Sequence, residues 1–199
     1  LVPTISLILA LLEGRPIIRS EVLEDFFPMR NPRSDTYCTL LAFEEGQRRG
    51  FSVEDCKKIG LHSARCKEAK MLTQQFCKMV GVMYSLEIPP YEILAKLLIQ
   101  CFPQKVVQLV SGGRNIYQDC LGRNMHLSKH SVVKNEKYLI SLQVIEKKLK
   151  GRVVLEMNGA NGIDESWVRQ NLGRKIKESS EIIWDANSKK VVKRTKELW

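Results

Sequence analysis

The hydrophobic pattern changes period once along the chain, near Phe102-Pro103. Before that point apolar residues recur every three or four positions, the spacing of one helix face. Ile5, Ile8, Leu9 and Leu12 form a first stripe, with Thr4 as its expected cap and Gly14 as its stop. After a break at Pro28–Pro32, Ser34 is placed to cap a helix through Tyr37, Leu40, Leu41 and Glu44 to Arg49, ended by Gly50. Ser52-Val53-Glu54-Asp55 resembles a capping box and opens a short helix that stops at Gly60. The longest helix is expected from Ser63 to Met83, on a stripe of Leu61, Ala64, Ala69, Leu72, Phe76, Val80 and Met83. Lys67, Lys70, Gln74 and Lys78 share another of its faces. Pro89-Pro90 set the first turn of a further helix through Ile93, Leu94, Leu97 and Leu98.

Beyond Pro103 the pattern shortens. Lys105–Val110 is a brief apolar run followed by the turn Ser111-Gly112-Gly113. Tyr138–Ile145 alternates, with Ile140, Leu142 and Val144 opposite Ser141 and Gln143. Lys150-Gly151 then separates it from the run Val153–Met157. A short helix fits Asp164–Leu172 before Gly173, and Ile182-Ile183-Trp184 with Val191-Val192 flank the turn Asp185–Ser188. Short strands with one intervening helix imply a small OB-like β-barrel. The expectation is an α+β chain of two domains: an N-terminal helical bundle over 1–102 and the barrel over 103–199.

Charge sharpens that division. Residues 1–100 carry 13 basic and 12 acidic side chains, a balance of +1, whereas 101–199 carry 19 and 10, a balance of +9. A basic second half favours a polyanionic partner, nucleic acid first. The six cysteines contain no C-x-x-C pair and read as reduced, mostly buried thiols of a cytoplasmic protein. The apolar run Val2–Leu12 falls short of the roughly 20 residues a membrane span needs, and no signal-peptide pattern accompanies it. No membrane association is expected. The chain opens at Leu1 without an initiator Met and is expected to be a piece of a longer protein.

An active site is not expected. No G-x-x-x-x-G-K-[ST] phosphate cradle and no G-x-S-x-G elbow occurs, and Ser111–Arg114 is more simply a turn. His126 and His130 lie in a strand-and-loop segment without zinc-type cysteines beside them, so no metal site is assigned. Glu44-Glu45 and Asp164-Glu165 read as a solvated helix face and a helix start.

Nucleic-acid binding fits better. An OB barrel holds single strands in a basic groove, with aromatics as stacking platforms. Arg114, Tyr117, Arg123, Lys129, Lys150 and Arg152 fall near expected strand ends or turns, and Lys67, Lys70 and Lys78 offer phosphate contacts from the helical side. The two halves are expected to grip a threaded strand between them. Trp167 and Trp184 read as core anchors, and Lys189–Lys196 as a strand edge charged against aggregation. A reading from another class is a protein-interaction module whose basic barrel face docks an acidic protein.

The order of these residues resembles the C-terminal accessory region of bacterial DEAH-box ATP-dependent helicases of the HrpB type. Ile5–Pro16 looks like the first helix of that family's helicase-associated helical domain, and Ser34–Arg49 and Leu61–Phe76 like its later helices. Cys101–Val106 resembles the passage into the OB-fold. Leu121-Gly122-Arg123 through Leu127, with Ser131, resembles the family's G-R-x-x-x-L-x-x-x-S strand and turn. Lys137–Ile140 is similar to its W-L-V strand, although Tyr138 stands where Trp is usual. Ile163–Trp167 and Ile183–Asp185 resemble its D-E-x-W helix start and closing W-D hairpin. The resemblance implies a monomeric accessory region that binds single-stranded RNA or DNA and packs on the motor lobes of its parent chain. Those lobes, with their ATP and Mg²⁺, are absent from these residues, so the fragment is expected to hold no cofactor and to be inactive alone.

Overall fold

The computed structural model describes residues 1–19, 31–110, 115–149, 152–172, 177–185 and 190–198, with backbone only at 149, 152, 177–185 and 190–198. Five helices come first: α1 (Val2–Glu13), α2 (Asp35–Arg48), α3 (Val53–Lys58), α4 (Ser63–Met79) and α5 (Tyr91–Cys101). A 3₁₀ turn at Pro103–Lys105 leads into β1 (Val106–Leu109), β2 (Ile116–Asp119), β3 (Asn124–Leu127), β4 (Tyr138–Leu149) and β5 (Arg152–Ile163). Then follow α6 (Glu165–Leu172), β6 (Lys177–Asp185) and β7 (Lys190–Leu198). No helix among the described residues is long and apolar enough to cross a membrane.

Local chemistry accounts for most of these boundaries. The Ser34 and Ser52 side chains accept from the amides of Tyr37 and Asp55, satisfying donors that a helix start leaves open. Thr4 is not a cap: α1 begins two residues earlier, and the Thr4 hydroxyl donates to the Glu87 carbonyl at 2.8 Å. Helix α4 ends a turn before Met83, because Gly81 adopts a positive φ of 70° and reverses the chain. Residues 82–90 run on without regular structure, their exposed and half-buried positions alternating.

The strands close in the order β1-β2-β3-β5-β4, a barrel in which only β3 and β5 pair in parallel. The closing hairpin pairs as expected, with Trp184 opposite Val191, but β6 and β7 form a separate two-stranded sheet outside the barrel. Strands β2 and β3, four residues each, escape a pattern reading because so short a run shows no period. Ser141, expected on the solvent side of β4, is buried and donates to the Gln143 carbonyl at 2.9 Å. The opening of β4 is covered on both faces: Leu139 belongs to the barrel interior, and Ile140 packs with the helices.

That second packing joins the two halves. One apolar core holds Leu7, Leu40, Phe43, Leu94 and Leu98 together with Val106, Tyr138, Ile140, Ile163 and Val168. A polar clasp seals its edge. Arg33 Nε donates to Glu136 at 2.7 Å and Nη2 to Asp164 at 2.6 Å, while the Gly162 amide donates to the Arg33 carbonyl. Ser34 Oγ donates to Asn161 Oδ1 at 2.6 Å. The Asp35 carboxylate accepts from the Ser131 hydroxyl and from the amides of Val132 and Ala160. A Cβ at Gly162 would lie 2.7 Å from Glu136 Cγ, so a larger residue there would have to displace the Glu136 side chain from Arg33.

Candidate nucleic-acid interface

Helix α4 buries Cys66, Ala69, Thr73 and Cys77, which turns the opposite side outward. Lys67, Met71, Gln74 and Lys78, spaced four, three and four residues apart, follow one exposed line, with the half-buried Lys70 beside it. Among the described residues none of these three lysines forms an ion pair. Five other cations among the described residues of the helical half are already paired: Arg33 with Glu136 and Asp164, Arg48 and Arg49 with Glu44 and Glu45, Lys58 with Glu54, and Lys96 with Glu92.

The barrel candidates separate into different roles. Tyr117 is 0% exposed inside the barrel, and its hydroxyl donates to the Glu136 carbonyl at 2.9 Å. Burial and the nearby Glu136 carboxylate push that hydroxyl's pKa up to about 12. It offers no ring face to a base; it is a core residue, and inward alternation along β2 is the reason. Arg123 is held by Asp119 Oδ2 through Nε and Nη2, at 2.8 and 2.7 Å. Lys129 is exposed in the loop before β4 and unpaired among the described residues. Arg114, Ser111–Gly113, Lys150, Gly151, Gly173 and Ala186–Lys189 lie outside the described residues, as do Pro28 and the side chains of Arg152 and Trp184. The backbone sets Arg152 opposite Leu149, at the end of the β4–β5 ribbon.

The junction between the halves contains a cavity of about 450 Å³, bounded by Ile8, Leu11 and Leu12 of α1 and by Leu142 and Ile145 of β4. Among the described residues no lysine or arginine lines it. The expected cationic passage does not run through this cavity, where the facing surfaces are occupied by apolar packing and the Arg33–Asp35 clasp. The Asp35 carboxyl is raised above the usual carboxylate range by burial, partly offset by its three donors. No buried side-chain nitrogen or oxygen among the described residues lacks a partner.

Other chemistry resolves in the same way. His126 is exposed on β3, His130 lies in the following loop, and no group of three metal-ligating side chains occurs among the described residues. None of the six cysteines forms a disulfide; Cys38, Cys56, Cys66 and Cys77 are buried and Cys101 is exposed. Burial, with Cys56 adjacent, pushes the Cys66 thiol up to about 12. Trp167 is half-buried against the core, with Lys96 Nζ 5.4 Å and the Arg33 guanidinium 5.9 Å from its ring centre. The sequence reading missed Asp119 as the holder of Arg123; the signal available was the four-residue spacing across a turn.

No protein-family model and no curated protein matches the chain. Among solved structures it is similar to the DExH-box NTPase HrpB of E. coli, at 16% identity and a TM-score of 0.55. The match covers 98% of this chain and 19% of that one, so the chain spans about a fifth of that protein's length. The likeness is one of fold, and it runs through the helices and the barrel alike.

Proposed function

We propose that this chain is an accessory region of an ATP-dependent DExH-box helicase, with an OB-type barrel, and that it holds single-stranded RNA or DNA by its phosphates. The observation that carries the reading is the likeness of 98% of the chain to one fifth of a DExH-box NTPase. The strand order β1-β2-β3-β5-β4 supports an OB barrel. Three unpaired lysines on one helix and an exposed Lys129 supply cations in reach of solvent. ATP and Mg²⁺ would be bound by motor lobes outside these residues, and the helical half would face those lobes across the strand. Contacts of this kind are electrostatic and carry little sequence information.

Salt dependence tests the reading. A protein that neutralises phosphates on a single strand shows a log–log slope of roughly −0.7 per contact. Binding of a labelled oligouridine is expected to weaken steeply with salt. Replacing Lys67, Lys70 and Lys78 with alanine should shallow the slope by about 2 if all three engage. Affinity that stays flat across salt, or a slope the triple variant does not change, would refute the phosphate grip.

A further inference from the structure

The cavity at the junction has an apolar side and a charged one. Leu11 and Leu12 of α1 and Leu142 and Ile145 of β4 make the first; Asp35 and Ser131 belong to the second. Its volume of about 450 Å³ falls within the roughly 300–1,000 Å³ of small-molecule sites. Asp35 is the only carboxylate among the described lining residues, and no lysine or arginine among them opposes it. It joins no ion pair among the described residues. Its three donors, the Ser131 hydroxyl and the amides of Val132 and Ala160, are all neutral. A carboxylate offers about four acceptor positions, so one stays open. The start of α2 contributes roughly half a positive charge, which leaves the carboxylate's surroundings net negative on a chain carrying +10. Of the other ionisable groups on the wall, Cys38 is a thiol that donates to the Asn31 carbonyl, and His130 is exposed. Burial raises the Asp35 carboxyl above the usual carboxylate range despite its donors, as fits a carboxylate short of a counter-ion.

We propose that the cavity binds a small primary alkyl- or arylalkylamine, its ammonium on Asp35 and its hydrocarbon against Leu12, Leu142 and Ile145. An ammonium supplies both a donor for the open carboxylate position and the charge that the neutral donors lack. Salt screens such a pair weakly, because Asp35 is largely withdrawn from water. The hydrocarbon gains by leaving water for a wall that is already apolar. A carboxylic acid of the same length would set like charge against Asp35. An alcohol could donate a hydrogen bond there but brings no charge. None of the lysines assigned to phosphate lines the cavity, so the inference does not depend on the helicase reading.

The test titrates the whole chain at pH 8 with octylamine, octanol and octanoate, each below its micelle concentration, by isothermal calorimetry. Octylamine should bind saturably, octanol at least about tenfold more weakly, and octanoate not at all below about 1 mM. Octylamine should also shift the NMR signals of the Val132 and Ala160 amides, which share its carboxylate. Asp35→Asn, which keeps an acceptor oxygen, should bring octylamine down to the affinity of octanol. Asp35 also joins the two halves, so a second variant decides if that one fails to fold. Ile145→Trp fills the cavity from a position 42% exposed, and should abolish octylamine binding with helix and strand signals unchanged. Equal affinities of octylamine and octanol would overturn the proposal, since charge would then select nothing. So would octylamine affinity that survives Ile145→Trp or a folded Asp35→Asn, or no saturable octylamine binding below about 1 mM.

Discussion

Asp119 and Arg123 are bound to each other across the β2–β3 turn. Oδ2 of the buried Asp119 takes Nε and Nη2 of Arg123, while Oδ1 accepts the amides of Leu121 and Arg123. The carboxylate thus organises the whole turn, and the guanidinium neutralises it. An arginine that sequence position marks as a phosphate ligand is here first a structural partner.

Arg123→Ala is therefore expected to lower stability by about 1–3 kcal/mol, since it strips a nearly buried carboxylate of its cation. Lys129→Ala, which removes an exposed side chain, should leave stability within about 0.5 kcal/mol. Chemical denaturation of the two variants checks this; equal stability would release Arg123 from the turn.

Tyr117 makes a complementary case. Tyr117→Phe loses one hydrogen bond to the Glu136 carbonyl, at about 1 kcal/mol, and Tyr117→Ala hollows the barrel, at about 3–5 kcal/mol. Oligonucleotide affinity of the phenylalanine variant should equal that of the wild type. A marked drop in affinity without loss of stability would mean that the ring reaches the ligand.

Asp35→Ala should loosen the two halves together. It leaves the Ser131 hydroxyl and the amides of Val132 and Ala160 without their acceptor, a loss of at least about 3 kcal/mol. Because the apolar core crosses the junction, unfolding followed by helix and by strand signals should remain a single transition in the wild type. Two separate transitions there would show that the halves fold independently.

The thiols predict a pH effect. Cys66 moves from an ordinary 9.0 to about 12, so the folded chain keeps a proton that the unfolded chain has lost over that interval. Stability contributed by this group is complete below 9.0 and falls as pH rises towards 12. Cys66→Ala should flatten the alkaline limb of the stability curve relative to wild type. At pH 8, iodoacetamide should modify exposed Cys101 in the native chain and reach Cys66 only after unfolding.

Much of the helical half was legible because its signals are local. Ser34 and Ser52 cap where they stand and Pro90 precedes α5, but the apolar stripe expected on α4 was only partly right: Ala69 is buried, whereas Ala64, Val80 and Met83 are exposed and Cys66, Thr73 and Cys77 complete the buried face. The barrel was legible only as a class. Four-residue strands such as β2 carry no period, so the inward direction of Tyr117 and the pairing of Asp119 with Arg123 could not be read from order alone.

By itself the amino-acid order determined the helix starts and stops, the change to strands after Pro103, the surplus of cations in the second half and the reduced thiols. These rest on backbone sterics, capping and composition, which act over a few residues. Tertiary structure alone decided that the halves share one core, that no lysine or arginine among the described residues lines the cavity at their junction, and that the outer edge of β4 from Val144 on has no strand partner among those residues. Those outcomes depend on which distant surfaces meet: Arg33 on Glu136 and Asp164, Asp35 on Ser131, Val132 and Ala160. Burial of that kind is a property of the closed chain.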